Sequence, residues 1–279
     1  MKGQDKETEI GVGSGTPEDE WLEDSRQYRV RRTHLELLQL IPSQGQLILD
    51  AGCGPGTYGI MLAQKGNEVI GIEISRKAAV TAKERAKKKK VSFSSVVGDL
   101  ERLPFKDNSF DICFCGWVLH HFPDTGIAVA GLTRVVKPRG MIALAEPNES
   151  NLAVRFGRFI EDLLLVRGWV LSAGWDTPNR TIHRHEHYVR ALERQGFTDI
   201  KVNSCFPGGL PPLPARPQKG GLSFLGFLLI HILVRLRCCL FVIAAKVLPR
   251  PLNGADLLIT ASKMSALSSF QDICKVAER

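Results

Sequence analysis

The chain has 279 residues, with 37 Lys and Arg against 29 Asp and Glu, a formal charge of +8, and 44% hydrophobic residues. This length and apolar content exclude a small disulfide-stapled fold, a collagen-like fibre and a wholly disordered chain. They suit one full α/β domain with an elaboration, or at most two domains. The seven Cys residues are scattered, and the chain opens on a polar stretch without the apolar run of a signal peptide. These features predict a reducing, cytoplasmic location.

The first half of the chain alternates strand and helix patterns. Residues 1–20 are polar and lack periodicity, which predicts a disordered tail, and Arg29–Ile41 has the apolar spacing of an amphipathic helix. Strands are predicted at 46–51, 68–73, 91–97, 110–116 and 140–146, with helices between them at 57–66, 76–88 and 124–136. Apolar strands separated by helices indicate parallel pairing through crossovers, because such a sheet is covered on both faces. The sequence therefore predicts an α/β fold with a doubly wound, mostly parallel, seven-stranded sheet.

The pattern loosens after the fifth strand. Further helices are predicted at 152–171 and 185–195, strands at 198–204 and 255–262, a Pro/Gly connector at 207–221 and a strongly apolar helical insertion at 222–248, before the last strand. The predicted organisation is a tail at 1–20, a main domain at 21–204, the connector and apolar insertion at 205–250, and the last strand with a C-terminal tail at 251–279.

A glycine-rich loop follows the first predicted strand, where Leu49-Asp50-Ala51-Gly52-Cys53-Gly54-Pro55-Gly56 leads into a helix. Glycines let the backbone turn tightly and let a ligand approach the main-chain N–H groups. Gly54, Gly56 and Gly59 also match the G-x-G-x-x-G pattern of dinucleotide-binding domains, so an NAD-dependent oxidoreductase is the first alternative. The carboxylate of Asp50 favours a zwitterionic or cationic ligand over NAD, because it repels a diphosphate and accepts hydrogen bonds from an ammonium group.

Two more acidic residues end the next two predicted strands. Glu73 closes the second strand, at the position where a carboxylate accepts hydrogen bonds from ribose hydroxyls. Asp99 follows the third strand, where its side chain can accept from the exocyclic amine of adenine. Each acid taken alone is equally well explained as a helix N-cap or a solvated loop residue. Together with Asp50 they predict a nucleoside-binding crevice at the carboxyl edge of the sheet.

These residues resemble the S-adenosylmethionine-dependent class I methyltransferases, and in particular the subgroup (methyltransferase type 11) that contains the ubiquinone and menaquinone biosynthesis enzymes. The matching motifs are Asp50–Gly56, Glu73, Gly98–Phe105, Asn108–Asp111, His120–Asp124 and Arg134–Gly140. The resemblance is specific over about residues 28–147, looser over 181–204 and 254–263, and absent from 205–250. It implies a Rossmann-like methyltransferase domain at 21–204 that uses S-adenosylmethionine as its cofactor.

The resemblance also implies roles for individual residues. Gly52, Gly54 and Gly56 would line the methionine part of the cofactor, and Glu73 would hold the ribose. Asp99 and Leu100 would hold the adenine. The stretch Cys115-Gly116-Trp117 would lie beside the sulfonium. Cys53 and Ile74, which adjoin these positions in the chain, complete the predicted cofactor-binding set.

Methyl transfer from a sulfonium is an in-line displacement, in which alignment of donor and acceptor matters most and a base removes a proton where the acceptor requires it. His120 and His185 are the candidate bases, because histidine titrates near neutral pH; His121 is a weaker one, and a helix-start or loop role is the alternative for each. After the fourth strand the chain lacks the Asn/Asp-Pro-Pro-Tyr/Phe motif of many amino-group methyltransferases. The expected reaction is therefore O- or C-methylation of a small molecule or lipid.

Other side-chain clusters do not indicate a further ligand. His183 and His187 share the i, i+4 spacing of a metal site, but no carboxylate or Cys stands at ligand spacing nearby, so no metal is predicted. Lys87–Lys90 form a charged helix end without interleaved aromatic residues, and nucleic-acid binding is not predicted. Cys113 and Cys115 lie within a buried strand pattern and are expected to be small core residues.

The apolar insertion at 222–248 contains 17 Leu, Ile, Val or Phe residues, enough length to span a bilayer. Arg235 and Arg237 near its centre offset the favourable insertion energy of the apolar residues, so a transmembrane span is not supported. A bent helix or hairpin in the membrane interface fits better, with packing on the protein's own core or in a dimer as the alternative. Membrane contact would make the acceptor lipophilic. The alternative function is a cofactor-binding but inactive protein that serves as a membrane or partner anchor.

Overall fold

The computed structural model describes residues 35–42, 44–122, 124–151, 155, 181–205, 232 and 256–264. The predicted tail at 1–20 and the connector at 207–221 lie outside these residues, and so do the predicted helix at 152–171 apart from Arg155 and the apolar insertion at 222–248 apart from Ile232. Within the described part of the chain, no helix has both the length and the apolar character required to cross a bilayer.

Seven strands form one sheet in the order β3-β2-β1-β4-β5-β7-β6. Their bounds are β1 Leu47–Ala51, β2 Glu68–Glu73, β3 Phe93–Val97, β4 Phe110–Gly116, β5 Val136–Pro147, β6 Phe197–Cys205 and β7 Asp256–Lys263. Strands β1 to β5 pair in parallel, whereas β7 runs antiparallel between β5 and β6. The predicted fold class, a mostly parallel seven-stranded sheet, is confirmed.

The helices come from the segments with amphipathic periodicity. They are α1 Thr57–Gln64, α2 Arg76–Lys89, α3 Thr125–Val135 and α4 His185–Arg194, and residues 35–40 are also helical. Two hydrophobic clusters fill the space between helices and sheet. One cluster includes Leu132 of α3 and Leu192 of α4. The other includes Leu37, from the helical residues 35–40, and Leu62 of α1. The sheet is therefore covered on both faces, which explains why its inner strands read as continuous apolar runs.

The structure differs from the sequence prediction between α3 and β5. The fifth strand begins at Val136 rather than at Gly140, although Pro138 lies within it. Val136 pairs with Phe110, and the register then shifts before the pairing of Met141 with Ile112. Such an irregularity accommodates a proline that cannot donate a ladder hydrogen bond, so the strand begins four residues earlier than predicted.

Two short 3-10 helices, Leu100–Arg102 and Leu119–His121, were not predicted. Each of them begins within three residues of the carboxyl end of a strand, β3 and β4 respectively. They turn the chain over the end of the sheet, at the edge where the sequence places the ligand crevice. Both therefore contribute residues to the candidate site.

Candidate active site

A cavity of about 210 Å³ lies at the carboxyl ends of β1, β2, β3 and β4. It is lined by Gly52, Ile72, Glu73, Ile74, Gly98, Asp99, Leu100, Trp117, Val118, His121 and Phe122. Six of the residues predicted to bind the cofactor are in this wall: Gly52, Glu73, Ile74, Asp99, Leu100 and Trp117. The structure thus brings the three strand ends identified in the sequence around one space.

The turn after β1 is held against β2. The main-chain N–H groups of Gly52 and Cys53 both donate to the Ile72 carbonyl, at 2.8 and 3.1 Å. Gly52 has φ 72°, and a Cβ at this position would overlap the side chain of Val118. Glycine is therefore required here for two reasons, the backbone conformation and the close approach of the wall that follows β4.

The Glu73 carboxylate is buried, with 8% of the residue exposed, and two main-chain donors orient it. Its Oε2 accepts from the Gly54 N–H at 2.9 Å, and its Oε1 accepts from the Ser75 N–H at 2.9 Å. The side chain therefore ties the glycine-rich loop to the end of β2 while it lines the cavity. A carboxylate in this position suits hydroxyl donors such as those of a ribose.

Asp99 caps a helix and also lines the cavity. Its Oδ1 accepts from the Glu101 N–H at 3.0 Å and so caps the first 3-10 helix, and the residue also lines the cavity. The cap fixes the side chain at the point where the chain leaves β3. An acceptor held in this way suits the exocyclic amine of adenine, with buried Leu100 beside it as an apolar contact for the base.

Asp50 is placed differently from the prediction. The residue is 2% exposed and is not among those that line the cavity. The main-chain N–H of Gly59 hydrogen-bonds the carboxylate, while Oδ2 has no hydrogen-bond partner among the described residues. Burial is the main cause that raises the pKa of Asp50 from 3.8 to about 7. Burial therefore disfavours the negative charge that the sequence predicts at the end of β1.

Five other predicted cofactor residues also stand outside the cavity wall: Cys53, Gly54, Gly56, Cys115 and Gly116. Cys53 is buried and its Sγ lies against Gly71, and Gly54 reaches the site only through its N–H bond to Glu73. Cys115 is fully buried in β4, and burial raises the pKa of its thiol. Cys113 is buried in the same strand, so both behave as the expected small core residues.

The part of the cavity wall that follows β4, residues 117–122, depends on Glu146, which is not among the predicted site residues. Glu146, near the end of β5, is 1% exposed. Its Oε1 accepts from the N–H groups of Val118 and Leu119 at 3.0 and 2.7 Å, and its Oε2 accepts from the N–H and Nδ1 of His120 at 3.3 and 2.8 Å. One carboxylate thereby fixes the turn that presents Trp117, which has φ 60°, to the cavity. A charged residue at the end of an apolar strand is the sequence signal for such a role.

The structure separates the two candidate bases from the cavity. His120 is 4% exposed and bonded to Glu146, whereas its neighbour His121 lines the cavity, with 4.0 Å between the two ring centroids. His185 begins α4, with its Nδ1 2.8 Å from Ser150 Oγ, and is not among the lining residues. The histidine that reaches the cavity is thus the one the sequence ranked lower.

His183 and His187 are stacked, with ring centroids 3.9 Å apart, and burial lowers the pKa of each. No group of three or more His, Cys, Asp or Glu side chains suited to a metal ion occurs among the described residues. The stacked pair packs against Tyr188, whose ring is 5.4 Å from that of His187.

Comparison with known proteins identifies the kind of enzyme. Residues 49–144 match the model of a methyltransferase domain family. The demethylmenaquinone methyltransferase of Staphylococcus haemolyticus (strain JCSC1435) is 28% identical over 201 residues, which are 66% of this chain and 81% of the relative. That of Staphylococcus aureus (strain JH9) is 29% identical over 184 residues, which are 60% of this chain and 73% of the relative.

Solved structures share the fold. Geranyl diphosphate C-methyltransferase from Streptomyces coelicolor A3(2) aligns with a TM-score of 0.56 at 16% identity, over 84% of this chain and 79% of that chain. Phosphoethanolamine N-methyltransferase 2 of Haemonchus contortus, in complex with S-adenosyl-L-methionine, aligns with a TM-score of 0.55 at 20% identity, over 84% and 53%. The matched methyltransferase model and the sequence relatives favour methyl transfer over NAD-dependent redox chemistry. The chain is an S-adenosylmethionine-dependent methyltransferase that is similar in sequence to the demethylmenaquinone methyltransferases.

Proposed function

We propose that this methyltransferase acts on carbon or oxygen of a small, uncharged, lipophilic acceptor that carries an aromatic ring. The observation that carries the proposal is the charge of the cavity wall. Its described residues include two carboxylates, Glu73 and Asp99, and no Lys or Arg. Such a wall disfavours an acceptor with a phosphate or carboxylate group, because no cation there compensates its charge.

The side of the wall that follows β4 supports an aromatic acceptor. Trp117, Val118 and Phe122 present apolar surface to the cavity, and His121 is the titratable group beside them. Aromatic rings in a protein pack favourably against aromatic ligands in stacked or edge-on arrangements. The relatives named as demethylmenaquinone methyltransferases carry a name that points to a quinone acceptor of this kind.

Glu73 and Asp99 would hold the nucleoside of the cofactor, and Gly52 would line its methionine part. S-adenosylmethionine supplies an electrophilic methyl group on its sulfonium when bound. Trp117 and Phe122 would exclude water and orient the acceptor for in-line attack. The acceptor would form its bond to the methyl group as the sulfur–methyl bond breaks, and it would lose one proton. His121 is the residue in the wall placed to take that proton.

Incubation with methyl-labelled cofactor and a reduced naphthoquinol that carries a polyprenyl chain tests the proposal. The matched comparison is 1,4-dihydroxy-2-naphthoate, which has the same ring system and a carboxylate in place of the chain. We expect label in the lipid extract with the polyprenyl compound and little transfer to the carboxylate. Preferential labelling of the carboxylate, or of the protein or nucleic-acid fraction of a cell extract, would overturn the proposed acceptor class.

A further inference from the structure

The positive charge of the chain is concentrated in one helix. Residues 76–90, which comprise α2 and the residue after it, contain eight Lys or Arg and one Glu, a formal charge of +7, against +8 for the whole chain. The rest of the sequence is therefore almost neutral. A helix with this charge density forms a local positive field on the part of the surface where its cations are exposed.

The contacts of α2 fix which of its sides faces the rest of the site. Ala79, Ala82 and Ala86 are buried against the sheet. Ala82 also lies against Gly56, and Arg85 Nη1 donates to the Pro55 carbonyl at 2.8 Å. The side of the helix that carries Ala82 and Arg85 is thus turned toward the glycine-rich loop.

A stripe of exposed residues occupies the other side of the helix. Arg76, Val80, Lys83 and Lys87 follow the i, i+4, i+7 and i+11 spacing of one helical face, and all four are exposed. The Ser95 hydroxyl of β3, the end strand of the sheet, donates to the Ala79 carbonyl at 2.6 Å, so α2 packs on this edge strand. The exposed stripe is turned away from the glycine-rich loop and therefore runs along the β3 edge of the sheet.

That surface also exposes aliphatic side chains. Val80 is 48% exposed, and Val97 of β3, which shares the strand face of Ser95, is 51% exposed. We define the α2–β3 surface by the exposed residues Arg76, Val80, Lys83, Lys87 and Val97. It combines cations with aliphatic groups, and no aromatic residue is among the large exposed hydrophobic residues of the described chain.

We propose that the α2–β3 surface docks on an anionic lipid bilayer. Lipid phosphates and anionic headgroups compensate the Lys and Arg charges, and the valines enter the boundary between headgroups and acyl chains. A single-stranded nucleic acid fits less well, because its recognition relies on aromatic side chains that stack with the bases. This docking goes beyond the proposed acceptor, since it requires no methyl transfer.

The position of the surface gives the contact a consequence for the enzyme. Arg76 and Val97 lie two residues from Ile74 and Asp99, which line the cavity. A bilayer against the α2–β3 surface would therefore lie beside the cavity. An acceptor dissolved in the membrane would then be held at high local concentration near the site.

Sedimentation of the full chain with vesicles tests the proposal. The vesicles are phosphatidylcholine alone, or phosphatidylcholine with phosphatidylglycerol, each at low and at high salt. The patch variant is Lys83→Gln/Lys87→Gln, and the matched control is Lys106→Gln/Lys201→Gln, which removes the same charge at exposed positions outside the surface. Each cation near an anionic membrane contributes about 1 kcal/mol to binding. The patch variant loses two cations, so it should bind about 25-fold more weakly.

We expect the natural protein and the control to bind the anionic vesicles, to bind neutral vesicles weakly, and to lose affinity at high salt. Equal weakening of the patch variant and the control would overturn the proposal, because it would reflect net charge alone. Equal binding to neutral and anionic vesicles would also overturn it. Tighter binding of a duplex or single-stranded oligonucleotide, with the same loss in the patch variant, would assign the surface to nucleic acid instead. None of these measurements depends on the methyl acceptor.

Discussion

Replacement of Glu146 by Gln tests whether this buried carboxylate holds the wall that follows β4. Gln keeps one oxygen for the N–H groups of Val118 and Leu119, but an amide group replaces Oε2, where two bonds from His120 end. The His120 ring can change tautomer and accept from the amide, whereas the His120 main-chain N–H loses its acceptor. A buried group left unsatisfied costs about 1–3 kcal/mol.

If the unfolding free energy falls by about 2 kcal/mol, the melting temperature of a domain of this size falls by about 4–8 °C. We also expect the affinity for S-adenosylhomocysteine to fall several-fold, because Trp117, which lines the cavity, is positioned by the same turn. Differential scanning calorimetry and isothermal titration measure the two effects. The matched control is Glu68→Gln, at an exposed position that begins β2. If Glu146→Gln melts and binds like this control, the carboxylate does not hold the wall.

Three further changes test other parts of the site. Because burial raises the pKa of Asp50 from 3.8 to about 7, the folded state keeps a proton that the unfolded chain releases, and stability falls as the pH rises from about 4 to about 7 and then levels off. The unfolding free energy of Asp50→Asn, measured in urea, should not fall over this pH range. The difference between the variant and the natural protein should therefore grow in favour of the variant by up to about 1.4 kcal/mol per pH unit. A difference that does not change with pH would disprove the assignment. His121→Gln should lower kcat by about 10²–10⁴-fold with unchanged affinity for S-adenosylhomocysteine, and an unaltered kcat would exclude a role as base. Arg85→Met removes the bonds to the Pro55 carbonyl and Thr57 Oγ1 and should lower the unfolding free energy by about 1–3 kcal/mol, as measured in urea; no change would mean that these contacts contribute nothing.

Much of the sheet follows from local sequence patterns. The strands Glu68–Glu73 and Phe110–Gly116 have the predicted bounds, because each is an apolar run delimited by polar or glycine residues. The carboxyl ends of these parallel strands meet at one edge of the sheet. This is why the order of strands and helices along the chain is enough to assign Glu73 and Asp99 to one crevice.

The details of the site depend on contacts between distant segments. His120 and His121 are neighbours in a 3-10 helix, where successive residues are rotated by about 120°, so one ring is buried on Glu146 and the other lines the cavity. The sequence does not indicate which of the two points inward. Asp50 is buried because α1 passes over it at Gly59, a packing contact that has no local signature.

The antiparallel strand β7 lies between β5 and β6 and is the link that joins these two strands in the sheet order. It pairs Pro147 with Asp256, more than a hundred residues apart in sequence. At a synthesis rate of about 5–20 residues per second, the growing polypeptide would wait about 5–20 s on the ribosome before this partner emerges. During that interval the hydrogen-bonding edge of β5 stays unpaired, so a chaperone that shields nascent chains would be of most use to this protein between the synthesis of β5 and that of β7.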